Sequence, residues 1–116
     1  MIKQLTLAAV LCCAATIAAA QTAALQSGDA QRGKEKRRLC EGCHGIPDFR
    51  TAFPEVYSVP RLGGQHPEYI VKALQEYKSG ERNHPSMRSI AASLSDQDMA
   101  DLAAYYAQAP LTAAGK

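Results

Sequence analysis

The chain has no tryptophan and only two phenylalanines, so with five tyrosines it offers few large rings from which to build a core across 116 residues. It has no apolar–polar alternation long enough to make a sheet, no internal repeat and no glycine-rich phosphate loop, which excludes the β and nucleotide-binding architectures. Charge of one sign is also missing: 13 Lys and Arg against 11 Asp and Glu give a formal +2, too balanced for a nucleic-acid partner. The longest apolar run, Leu5 to Ala20, falls short of the about 20 residues that a spanning helix needs. Cysteine is sparse as well, four in all, with Cys12 and Cys13 inside that run and Cys40 and Cys43 outside it.

Lys3, the apolar run and Ala18-Ala19-Ala20 together have the three parts of a secretory signal, so residues 1–20 are expected to direct export and to be cleaved near Ala20. An uncleaved anchor is the competing reading, and a mitochondrial presequence is disfavoured by the absence of arginine and of a polar face. A lipid anchor at Cys12 or Cys13 is disfavoured by Leu11 and Cys12, which stand where a small residue would precede a lipidated cysteine. Removal of the signal leaves a formal charge of +1 and one cysteine pair, too few for the disulfide framework usual in an oxidising compartment.

The rest reads as an all-α domain of three main helices joined by long loops, after a leader at 21–27. Asp29 can cap a first helix running to about Cys40. Pro47, Pro54, Pro60, Gly63 and Gly64 exclude a long helix between Gly45 and Gln65, which is expected to wrap over something. Pro67 opens a second helix with Ile70, Ala73, Leu74 and Tyr77 on one face and Glu68, Lys72 and Glu76 on the other, ending at Gly80. Pro85 breaks any continuation, placing Met87 on an irregular stretch or at its edge. Ser95 and Asp98 cap a third helix whose face is Met99, Leu102, Ala103 and Tyr106, stopped by Pro110 ahead of a frayed tail at 110–116. Helices this short with so few aromatics do not close a deep core, so something other than protein should fill the middle.

Cys40-Glu41-Gly42-Cys43-His44 supplies a candidate. It is the haem-attachment pattern, in which two thiols add to the porphyrin vinyl groups and the adjacent imidazole binds iron. Cysteines at i and i+3 of a helical turn project to one side, and the next residue can reach beneath the same plane. Zinc would want a second cysteine pair or nearby histidines, and His66 and His84 are distant in sequence. A thioredoxin-like dithiol would need a βαβ setting, whereas a charged helix precedes this pair.

With Gly28-Asp29 and Gly33, the Cys40–Gly45 run, Pro60, Leu62, Gly64-Gln65, Met87 and Ile90-Ala91-Ala92-Ser93-Leu94-Ser95-Asp96 in this order, the chain resembles the class I c-type cytochromes from Gly28 to Gln108. The ending Leu102-Ala103-Ala104-Tyr105-Tyr106 makes it most similar to one half of the dihaem periplasmic carriers and their small monohaem relatives. The resemblance implies a cytochrome c domain at 28–109 wrapped around one covalent haem c, with His44 and Met87 as axial ligands. It also implies a backbone carbonyl beside Pro60 that accepts the second ring N–H of His44. Met87 stands out independently, since Met1 is the initiator and Met99 falls on a helix face as core filler. Its thioether favours ferrous iron more than a second imidazole would. His84 and His66 are the rival ligands, each beside a proline that suggests capping or a solvent-facing role. Tyr57 and Arg61 are within possible reach of a propionate.

One departure is the basic run Lys34, Lys36, Arg37 and Arg38, read either as a solvated face or as a docking patch for an acidic redox partner. It leaves Gly33 and Leu39 as the expected contacts to the last helix. The resemblance implies a periplasmic, non-enzymatic electron carrier with unidentified redox protein partners. The alternatives are a haem subunit dedicated to one oxidoreductase, or a ligand-sensing haem protein, which would need an open sixth position.

Overall fold

The computed structural model describes residues 27–53 and 55–110. The expected signal at 1–20, the leader up to residue 26 and the tail from Leu111 lie outside the described residues.

Among the described residues the architecture is helical, with five helices: α1 Ala30–Lys36, α2 Arg38–His44, α3 Pro67–Ser79, α4 Pro85–Ala92 and α5 Asp96–Gln108. Among the described residues the only strand-like feature is an isolated bridge between Arg50 and Ser58 in the loop, and no helix is long and apolar enough to cross a membrane. The expected three helices become five for two reasons. The first helix divides at Arg37, whose carbonyl accepts from both the Cys40 and Glu41 N–H groups, a local tightening that leaves α2 running on to His44. Pro85 begins α4 as well as ending what precedes it, because proline at a first helical position loses no intrahelical bond. Met87 therefore lies in the first turn of a helix, not on irregular backbone.

The Asp29 carboxylate caps α1 by accepting from Gln31 and Arg32 N–H at 2.8 and 3.0 Å. α3 buries Ile70 and Leu74 and turns Lys72 outward, paired with a half-buried Glu76, then stops at Gly80, whose φ of 90° is the left-handed geometry that glycine adopts freely. Ser95 and Asp98 cap α5 reciprocally. Its face of Met99, Leu102, Ala103 and Tyr106 forms the centre of the core with Ile70, Leu74, Leu94 and Ala109. Met99 and Leu102 are sealed from solvent, each worth about 2 kcal/mol of apolar transfer.

α1 crosses α5 where Gly28 and Gly33 present no side chain, and a Cβ at either would overlap the Ala100 or Asp101 carbonyl oxygen. Leu39, expected beside Gly33 in this contact, is 50% exposed and takes no part in the buried core. What locks the crossing is a carboxylate. Asp101, with no solvent exposure, accepts from Asp29 N–H at 2.8 Å, Arg32 Nε at 3.0 Å, Lys36 Nζ at 2.7 Å and Gln97 Nε2 at 2.8 Å. Lys36 also pairs with Asp98 at 2.6 Å. Burial raises the Asp101 pKa, but these donors outweigh it and hold the carboxyl below its ordinary range; Lys36 and Ser95 take Asp98 down to about 2.

Candidate functional site

α2 places its two thiols one helical turn apart, Cys40 half-buried and Cys43 exposed, both free and neither in a disulfide. Burial pushes the Cys40 thiol up to about 11, partly opposed by its hydrogen bond with Tyr106. That thiol stays protonated at neutral pH, unlike the lowered thiol of a reactive dithiol. Among the described residues, no group of three or more His, Cys, Asp and Glu side chains is placed to hold a metal ion by itself.

His44 closes α2, and its ring is oriented by the loop. Nδ1 lies 2.7 Å from the Pro60 carbonyl oxygen. A carbonyl can only accept, so Nδ1 carries the proton and Nε2 keeps its lone pair for a metal. Burial lowers the His44 pKa, the Pro60 bond opposes that, and nearby His84 adds to the lowering, so the neutral, ligating form is favoured. Met87 is half-buried and packs with Cys40 and Leu62 against the core cluster formed by α3 and α5. Cys40 and Met87 thus both pack against one apolar cluster, and the oriented His44 imidazole closes the helix that carries the thiols.

These donors fit a haem c: two thiols for thioether bonds, one imidazole with its second nitrogen already committed, and a soft neutral sulfur. The apolar surroundings fit as well. Of the large hydrophobic side chains that are exposed, Leu39, Ile46, Phe53 and Val56 lie on α2 or the loop that follows it, Phe53 to 86%, where a large flat ligand would cover them.

The other sequence candidates are placed as follows. His66 is exposed at the start of α3 and its side chain caps nothing. His84 caps α4, with Nδ1 accepting the Met87 N–H at 3.3 Å. The Tyr57 hydroxyl donates to Glu55 at 2.8 Å, and its ring lies against His84. Arg61 lines a shallow concavity of about 240 Å³ together with Asp48, Phe49 and Arg50. The basic run splits: Lys36 is drawn into the Asp98 and Asp101 clasp and Arg37 pairs with Glu41 at 2.9 Å, while Lys34 and Arg38 are exposed. Sequence reasoning missed the Asp101 clasp and the grouping of Tyr57, Tyr77 and His84. The Arg32 and Lys36 spacing, i and i+4 on one helix, was the available signal for the first.

A family model for cytochrome c matches residues 30–109. Cytochrome c4 of Thiocapsa roseopersicina is 46% identical over 93 residues, 79% of this chain and 46% of that protein. Cytochrome c-554(548) of Halomonas halodenitrificans is 40% identical over 83 residues, 69% of this chain and 95% of that protein. A thiosulfate dehydrogenase electron acceptor of Stutzerimonas stutzeri is 40% identical over 65 residues, 56% of this chain and 29% of that protein. The chain spans about half the length of the cytochrome c4 it matches and nearly all of the shorter c-554(548).

Proposed function

Because the chain belongs to the cytochrome c family, whose cofactor is a haem c bound covalently through cysteine, we propose that it is an exported one-electron carrier. In this reading Cys40 and Cys43 attach a single haem, and His44 and Met87 are the axial ligands of its iron. The observation that carries the reading is the 2.7 Å bond from His44 Nδ1–H to the Pro60 carbonyl. It fixes the tautomer and ring orientation that an iron ligand needs, and proline holds that carbonyl on a stiff backbone.

Bound there, haem c supplies the Fe(III)/Fe(II) couple. The protein's residues set its character. Met87 offers a neutral sulfur that favours the ferrous state, and the cluster of α3 and α5 excludes water on one side. No substrate is turned over. Residues 1–20 act as the export signal, which delivers a mature chain beginning near Gln21 to the periplasm.

The test is the optical spectrum of protein produced in cells able to attach haem c. The expected result is haem that stays with the chain on denaturation and a ferric band from sulfur bound to iron, lost in Met87→Ala. An unchanged spectrum in that variant would move the sixth ligand elsewhere. The mass of the exported protein reports cleavage at Ala20 directly.

A second reading, a carrier dedicated to one oxidoreductase, draws support from the relative named as an electron acceptor of thiosulfate dehydrogenase. Stable co-purification with one enzyme distinguishes it from a diffusing carrier.

A further inference from the structure

His84 stands immediately before α4, and its ring is held from three directions. Nδ1 accepts the Met87 N–H at 3.3 Å. The Tyr57 ring, from the loop, lies 4.3 Å away centroid to centroid and tilted by 39°. Tyr77, from α3, meets it edge-on at 6.2 Å and 80°. A ring nitrogen that accepts carries no proton, so the ring is neutral with its proton on Nε2. Pro85 brings no N–H to the first turn of α4, and the amide that His84 satisfies there is that of Met87 itself.

Histidine is not among the usual capping residues; Asn, Asp, Ser and Thr cap with less bulk. The imidazole does what those side chains cannot, which is to cap the turn and at the same time fill the space between Tyr57 and Tyr77. Tyr57 is itself fixed to the loop, through Thr51 N–H to its carbonyl at 2.9 Å and its own N–H to Thr51 Oγ1 at 3.0 Å. Loop, α3 and α4 therefore converge on one ring, and among the described residues the hydrogen bond this side chain makes goes to the backbone of Met87.

We propose that His84 is the positioning residue for Met87: by accepting the Met87 N–H from a ring packed against Tyr57 and Tyr77, it holds the thioether in its iron-binding placement. The proposal rests on the reading of Met87 as an axial ligand. It assigns His84 a role through Met87, not one as a rival ligand.

The test uses the ferric haem-loaded protein and imidazole added as a competitor for the sixth position, followed by loss of the sulfur-to-iron band. His84→Phe keeps a ring against Tyr57 but has no acceptor; His84→Asn keeps an acceptor at the capping position but has no ring. The expected result is half-displacement at about fivefold lower imidazole in His84→Phe, the size of a lost cap, and within about twofold of wild type in His84→Asn. His84→Ala repeats the loss of the acceptor without added bulk, should the phenylalanine disturb folding. Equal displacement in wild type, Phe and Ala variants overturns the proposal. So does an Asn variant as weak as Phe, because an acceptor at the capping position would then not restore the hold on Met87. A wild type without the band, or a Met87→Ala that keeps it, is the separate failure of Met87 as ligand and removes what His84 would position.

Discussion

Asp101 shows how much one residue contributes to holding the terminal helices together. Its carboxylate has no contact with solvent and gathers donors from the α1 cap, from two α1 side chains and from Gln97 on its own helix. Asp101→Asn keeps Oδ1 for the Asp29 N–H but sets an amide NH2 against Arg32 Nε and Lys36 Nζ in place of a charged acceptor, so it should cost about 3 kcal/mol at neutral pH. The pH dependence follows from the depressed pKa values of Asp98 and Asp101. A carboxyl that folding makes more acidic stabilises above its unfolded pKa, near 4, and loses that contribution as pH falls toward the folded value. Thermal melting at pH 7 should therefore separate wild type from Asp101→Asn, and the gap should narrow as pH falls from about 4 to about 2. A gap independent of pH would assign the loss to packing instead. Of this the sequence carries only the Arg32 and Lys36 spacing, because an acid flanked by Ala100 and Leu102 becomes the hub only when α1, some seventy residues earlier, is laid across it.

At the scale of elements, the second and third sequence-expected helices match α3 and α5 because their periodicity and caps agree: Pro67 and Gly80 bound one, Ser95 and Asp98 start the other. α4 has no such pair of bounds in the sequence, because its Pro85 ends one segment and begins the next. The first helix was continuous in the reading and is divided at Arg37 in the fold. The candidate site was legible to the extent that it is contiguous, in Cys40, Cys43 and His44. The resemblance, not periodicity, singled out Pro60, and its bond to His44 spans 16 residues. The convergence of Tyr57, Tyr77 and His84 depends on three elements meeting and has no local signature. The α1–α5 crossing makes its own prediction. A Cβ at Gly33 would overlap the Asp101 carbonyl oxygen, which is backbone and does not step aside. Gly33→Ala should destabilise by about 2 kcal/mol, read as a lowered denaturation midpoint. A neutral outcome would mean that the two helices are not in close contact in solution.

For the whole molecule, the small protein core and the balanced charge describe a chain that relies on its cofactor. Tyr106 is the one large ring among the fully buried hydrophobic residues described, and apolar exposure concentrates between Leu39 and Val56, beside the haem-attachment turn. The basic run contributes less to any outward field than its sequence suggests, since Lys36 is turned to Asp98 and Asp101 and Arg37 is paired with Glu41. Exposed charges on a nearly neutral protein steer weakly at physiological salt. Reversing both remaining cations, Lys34→Glu with Arg38→Glu, should change electron-transfer rates with an acidic protein partner by no more than about threefold. A far larger drop, abolished by salt, would restore the docking-patch reading.

In the proposed function, His44 and Met87 together hold one iron that cycles by a single electron. A potentiometric titration of the haem-loaded protein, followed optically, tests it most directly. The expected result is one one-electron wave whose ferric end shows the sulfur band, and a lower potential in Met87→Ala, because the thioether stabilises ferrous iron. A wave unmoved by that substitution would contradict it.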